Sequence, residues 1–148
     1  MKKEILYLDM DNTLVSFESG IQKLDHELLE EFDGSYDLVP GIFGLMEPMP
    51  GAIDAFKALS EHYDCYILST APWNNPTAWS DKLLWVKRYL GDEARKRLIL
   101  SHNKHLNIGR YLVDDRVKNG AGEFTGELIQ FGTDEYPDWD SVLKRLIP

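Results

Sequence analysis

Short apolar runs recur along this chain at Ile5–Leu8, Cys65–Leu68, Leu98–Leu100, Tyr111–Val113 and Leu128–Phe131, and stretches of helical periodicity lie between them. Runs of this length, bounded by polar residues, read as strands, and their alternation with helices predicts a parallel sheet covered by helices on both faces. Pro50-Gly51 opens a segment with Ile53, Phe56, Ala58 and Leu59 at helical spacing, and proline suits a first helical turn because its missing N–H has no partner there. A second helix is expected over about Thr77–Leu90, stopping at Gly91. A closing helix is expected over Asp138–Leu146, with Trp139, Val142, Leu143 and Leu146 on one face.

The segment from Val15 to Pro48 breaks the alternation. Ile21, Leu24, Leu28, Leu29 and Phe32 stand at helical spacing, so Ile21–Phe32 is expected to form an amphipathic helix. The stretch Tyr36–Met49, with its glycines and prolines, would be the return path to the main body. The economical organisation is a single domain over residues 1–148 with a small insertion over 15–48, directly after the first strand.

Composition narrows the possible partners. A chain of 148 residues with 43% hydrophobic content has enough apolar side chain for one core. Its 25 acidic and 16 basic residues give a formal charge of -9, which disfavours docking on a nucleic acid polymer or an anionic membrane. The single Cys65 has no partner for an internal disulfide and sits in an apolar run, which points to a core residue and a reducing, cytoplasmic setting. The apolar stretch before Asp9 is too short for a signal peptide or a membrane span.

Polar groups stand just beyond the carboxyl ends of four apolar runs. They are Asp9-Met10-Asp11-Asn12-Thr13, Ser69-Thr70, Lys104 and Asp114-Asp115. Each alone has a plain explanation, since Asp and Thr after a strand are common helix caps and turn formers and a lone lysine is usually solvated. Together they matter more, because the crevice beyond the strand ends of an open parallel sheet is where ligands bind. Hydrolysis of a phosphate ester needs a nucleophile, neutralised phosphate oxygens and a proton for the leaving oxygen. Asp9 is the candidate nucleophile and Asp11 the candidate acid and base. Lys104 and a hydroxyl, Thr70 before Ser69, would contact the phosphate, with Met10 and Ala71 beside them. Carboxylates packed this closely repel one another unless a cation lies among them, and an all-oxygen donor set suits Mg²⁺. Asp9, the carbonyl of Asp11, and Asp114 or Asp115 are its candidate ligands.

In this order the motifs resemble the four signatures of the haloacid dehalogenase (HAD) superfamily. That resemblance implies a Rossmann-like α/β core with strand order 5-4-1-2-3, Asp9 and Asp11 on the central strand, and a small helical cap after strand 1. Within the superfamily, Phe43–Ala52, Thr70-Ala71-Pro72, Trp85–Gly91 and Leu112–Arg116 are similar to segments of the 5′(3′)-deoxyribonucleotidases. Those enzymes dephosphorylate deoxynucleoside monophosphates, and their first motif usually runs Asp-Met-Asp-Gly-Val, where this chain has Asn12 and Thr13. Its insertion is also shorter than the family's helical cap, which supplies much of the nucleobase contact.

A nucleobase would need a flat apolar partner, and Phe17, Phe43 and Trp73 are the candidates, with core packing as the plain alternative for each. Trp79 and Trp85 are assigned to packing. His102 and His105 flank Lys104 and are candidates to line the crevice, whereas His26 and His62 fall in helical patterns and are expected at the surface. The expected function is Mg²⁺-dependent hydrolysis of a phosphomonoester through an aspartyl-phosphate, acting on a (deoxy)nucleoside monophosphate as a monomer or homodimer. The alternatives are a HAD phosphatase for another small metabolite and a non-catalytic phosphate-binding module.

Overall fold

The computed structural model describes residues 2–148. Its main sheet contains β1 (Ile5–Leu8), β4 (Asp64–Ser69), β5 (Leu98–Leu100), β6 (Tyr111–Asp114) and β7 (Glu127–Gln130), in the order β5-β4-β1-β6-β7. All four pairings are parallel. Two further short strands, β2 (Val15–Ser16) and β3 (Glu47–Pro48), pair antiparallel in a separate ribbon and shift the labels. Numbered among the sheet strands alone, the order is the expected 5-4-1-2-3. Leu8 is in register with Ile67 on one side and Val113 on the other, so Asp9, Ser69 and Asp114 emerge at the same edge.

The helices are α1 (Phe17–Ile21), α2 (His26–Glu31), α3 (Ala52–His62), α4 (Pro76–Tyr89) and α5 (Trp139–Leu146). The last three bury Phe56 and Leu59, Trp85 and Val86, and Trp139 and Val142 in one cluster with Leu6, Leu8, Ile67 and Val113. Alternation along β1 sends Tyr7 to the other face, where Leu68, Leu112, Ala121 and Phe124 complete a much smaller cluster. Here the structure departs from the expectation of helices on both faces. The β5–β6 and β6–β7 connections run as loops with single 3₁₀ turns at Lys104–Leu106 and Ala121–Glu123, too short to lay a helix over the sheet. Tyr7 closes that thin side, with its ring edge-on to Phe124 at 5.9 Å and its hydroxyl donating to the Ile108 carbonyl.

Of the helix expected over Ile21–Phe32, only His26–Glu31 forms, as α2, and Ile21 is the last residue of the separate α1. Helix α1 ends at Ile21, and Asp25 starts α2 by accepting a hydrogen bond from the Leu28 amide at 2.9 Å. Gly20 lets α1 seat closely against the return path, since a Cβ there would stand 2.8 Å from Met46 Cγ. The return path packs Val39, Ile42, Phe43 and Met46 into the main core rather than beside it. It is stitched to α4 and the turn before it by Asn75 Nδ2 donating to the carbonyls of Asp37 and Val39, and by Trp85 Nε1 donating to that of Met46.

Candidate active site

Each of the four polar motifs leaves the sheet at the same edge, and the structure brings them together. Asp9 follows β1 with its carboxylate buried, and Lys104 Nζ lies 2.9 Å from its Oδ1 and 2.6 Å from Asp114 Oδ2. The Lys104 backbone is held from behind, its amide donating to the carbonyl of Asn119. The second Asp9 oxygen accepts from the Thr13 hydroxyl at 3.3 Å. Thr13 is itself buried, and its carbonyl accepts from Trp139 Nε1, so the closing helix braces the loop after β1. Met10 is buried, and its carbonyl accepts from the amides of Thr13, Leu14 and Val15 in a tight turn.

Asn12 is the residue that makes this turn possible. Its φ of 60° lies in the left-handed region, where glycine is easiest and asparagine is the best tolerated of the others. The replacement of the usual glycine by Asn12 therefore preserves the backbone path, and Asn12 Oδ1 adds a bond from the Phe17 amide.

Electrostatics at the site are those of crowded acids sharing too few cations. Ligand oxygens of Asp9, Asp114 and Asp115 all lie within 4.8 Å of one another. Burial opposes ionisation of Asp9, but Lys104 outweighs it and holds that carboxyl below its ordinary range. Burial and then the charge on Asp9 push Asp114 up to about 6 and Asp115 to about 8. Asp114 has both oxygens occupied, by Lys104 and by the Arg116 amide, whereas Asp115 Oδ1 is buried without a hydrogen-bond partner. Two carboxyls facing each other with an orphaned oxygen fit a small divalent cation, and the all-oxygen donor set fits Mg²⁺.

Asp11 faces the cleft, and its carboxyl is pushed up by burial, opposed by Lys82 and reinforced by Asp9. Lys82 went unnoticed in the sequence. Its Nζ sits 3.1 Å from both Asp11 oxygens and 2.8 Å from Ser69 Oγ, with the side chain fully buried. The available signal was a lysine at the buried i, i+4, i+7 spacing of Ala78, Lys82 and Trp85, and the exposed Leu83 and Leu84 beside it hid that signal.

Thr70 lines the cleft, but its hydroxyl donates to the Ser101 carbonyl at 2.7 Å, while Ser69 faces Lys82. Ala71 is buried beside it. A cleft of about 660 Å³ opens over these groups, lined by Asp11, Phe17, Phe43, Thr70, Trp73 and Asp115. The Phe17 and Phe43 rings meet edge-on at 5.8 Å. Trp73 is 77% exposed at the mouth. His102 lines the cleft, as its place beside Lys104 suggested, whereas His105 does not, and the His102 ring lies 5.8 Å from that of Trp73 and 5.9 Å from that of Trp79. Trp79 packs against the main core behind His102, and Trp85 is buried in it, as expected for both. His26 and His62 are exposed.

The fold is that of HAD hydrolases. The structure superposes on the HAD-hydrolase YfnB of Bacillus subtilis, solved bound to magnesium, with a TM-score of 0.65 at 10% identity over 100% of both chains. It also matches the haloacid dehalogenase-like protein SP0104 of Streptococcus pneumoniae, with a TM-score of 0.56 at 14% identity over 96% and 90% of the two chains. Residues 27–137 match the family described as 5′ nucleotidase, deoxy (pyrimidine), cytosolic type C. A Vibrio phage KVP40 protein named a 5′(3′)-deoxyribonucleotidase is 63% identical over 97% of this chain and 85% of its own length. A Staphylococcus aureus protein of the same name is 35% identical over 88% and 83%. The chain belongs to this 5′-nucleotidase family and is a nucleotide phosphomonoester hydrolase of HAD type.

Proposed function

We propose that the protein is a Mg²⁺-dependent 5′(3′)-deoxyribonucleotidase that works through an aspartyl-phosphate on Asp9. The observation that carries this reading is the meeting of Asp9, Asp114 and Asp115 around one point, with Lys104 bridging the first two. An oxygen of Asp9 attacks phosphorus and the P–O bond to the nucleoside breaks. Asp11 gives its proton to the departing oxygen, and burial, which raises its pKa, favours the protonated form this step needs. Asp11, now ionised, takes a proton from water, whose oxygen attacks phosphorus and releases Asp9 and inorganic phosphate. Lys104 balances charge on Asp9 and on the phosphate oxygens. The amides and side chains around Met10, Thr70 and Ala71 form the remainder of the phosphate cradle.

A divalent cation, when bound, would neutralise the phosphate oxygens and align them with Asp9. Asp9, the Asp11 carbonyl and Asp115 would hold it. The unpartnered oxygen of Asp115 favours that residue as the direct ligand over Asp114, whose oxygens are both engaged. Residues 15–48 act as a small cap whose Phe17 and Phe43, with Trp73 opposite, form the apolar wall for a nucleobase. The KVP40 relative's name supports the deoxynucleotide assignment. A small phosphomonoester suits a chain carrying -9, since its single anionic group can be met by Lys104 and a bound divalent cation, whereas a polyanion would meet the acidic surface.

The test is phosphate release from deoxy- and ribonucleoside 5′- and 3′-monophosphates and from 4-nitrophenyl phosphate, with Mg²⁺ and with EDTA. Wild type is expected to prefer deoxynucleotides and to need the metal, and Asp9→Asn to be inactive. An active Asp9→Asn enzyme removes the nucleophile assignment, and indifference to the base removes the nucleotidase assignment.

A further inference from the structure

We propose that Lys82 is a positioning residue for Asp11, fixing the acid–base carboxyl from inside helix α4. This inference rests on the reading of Asp11 as the leaving-group acid. Among the described residues, the only hydrogen bonds to the Asp11 carboxyl come from the Lys82 ammonium, at 3.1 Å to each oxygen. Contact with both oxygens fixes the plane of the carboxyl as well as its place. The third donor direction of the ammonium goes to Ser69 Oγ at the end of β4, so the lysine is itself anchored to the sheet. Its fourth neighbour is the ring of Phe43, 4.6 Å away, on the wall of the cleft.

Structural need alone does not account for a lysine at this position. Burying an ammonium costs free energy, and an apolar side chain of similar length often stabilises a fold more than a buried ion pair does. The rest of that helix face is apolar, with Ala78, Trp85 and Val86 all buried. Direct phosphate binding does not account for it either, because the Lys82 side chain has no exposed surface while Asp11 stays 21% exposed toward the cleft. The two lysines thus divide the site, Lys104 serving the nucleophile and Lys82 the acid. A displacement of the acid by about 1 Å is enough to cost on the order of 10²-fold in rate.

The experiment compares Lys82→Met, Asp11→Asn and the double variant on two esters. One is 4-nitrophenyl phosphate, whose leaving group needs no proton; the other is a deoxynucleoside 5′-monophosphate, whose alkoxide does. Rates are read as kcat/KM, which reports steps up to the first irreversible one. We expect Lys82→Met to lose about 10²-fold on the nucleotide and about tenfold or less on the aryl ester. In the Asp11→Asn background the same change should cost almost nothing further, because the two residues act as one unit. Equal losses on both esters, or losses that add in the double variant, overturn the proposal. If Asp11→Asn itself fails to discriminate between the esters, it is the acid assignment that falls. Should Lys82→Met not fold, Ser69→Ala releases the ammonium from its anchor and is read the same way, equal loss on both esters again being the overturning result.

Discussion

At the scale of single residues, the gathering of the candidate-site acids was legible because each stands just beyond an apolar run, and a strand end fixes where a side chain emerges. Asp9, Asp11 and the pair Asp114-Asp115 needed no knowledge of the rest of the fold. Lys82 was illegible for the opposite reason. Its burial depends on how α4 is rotated about its axis, and Leu83 and Leu84 point outward where hydropathy alone would turn them in. Backbone conformation gives a first residue-scale prediction. Because Asn12 sits at φ 60°, Asn12→Ala should cost about 1–2 kcal/mol, whereas Asn12→Gly should be close to neutral apart from its lost bond to Phe17. Thermal unfolding of the two variants checks this, and equal destabilisation would contradict it. Cys65 supplies a second. It is 2% exposed, and burial raises its thiol to about 11, so at pH 8 the neutral, unreactive form dominates. An aromatic disulfide reagent should leave the native protein unlabelled at pH 8 and react with one thiol per chain after denaturation.

At the scale of elements, the strands and the three long helices were readable because their periodicities persist over several turns or alternations. The insertion was not, since Ile21–Phe32 carries a continuous helical pattern of which only His26–Glu31 forms a helix. The cap at Asp25, which starts that helix, was present in the sequence but outweighed by periodicity. Helix α5 shows the reverse. Its start was read correctly, and a capping box joins the Asp138 side chain to the Ser141 amide and the Ser141 hydroxyl to the Asp138 amide. Asp138→Ala should therefore cost about 1 kcal/mol, seen as a lower Tm. The same helix bears on the site, because Trp139 Nε1 donates to the Thr13 carbonyl beside Asp9. Trp139→Phe keeps most of the buried ring but orphans that carbonyl, and about 1–3 kcal/mol of stability should be lost with it.

At the scale of the molecule, the strand order and the gathering of acids at one sheet edge followed from the motifs, while the thin second face did not. Connection lengths after β5 and β6 were visible, but their failure to form helices depends on short loops finding enough partners among Tyr7, Leu112 and Phe124. The whole-molecule property with the clearest consequence is the accumulation of negative charge at a site within a chain already at -9. Burial and mutual repulsion raise Asp114 and Asp115, so without a cation these groups subtract from stability, and a divalent ion should return it. Mg²⁺ at about a hundred times its dissociation constant adds roughly 2.7 kcal/mol, which for a chain of this size raises Tm by roughly 5–10 °C. Asp115→Asn separates the two contributions. Removing a carboxyl that burial and Asp9 hold back from ionising should raise the Tm of the metal-free protein above that of metal-free wild type, while abolishing most of the shift produced by Mg²⁺. Differential scanning calorimetry of both proteins in EDTA and in Mg²⁺ measures all four values. A metal-free Asp115→Asn protein that melts lower than wild type, or that keeps the full Mg²⁺ shift, would mean that Asp115 is not a ligand of the proposed ion.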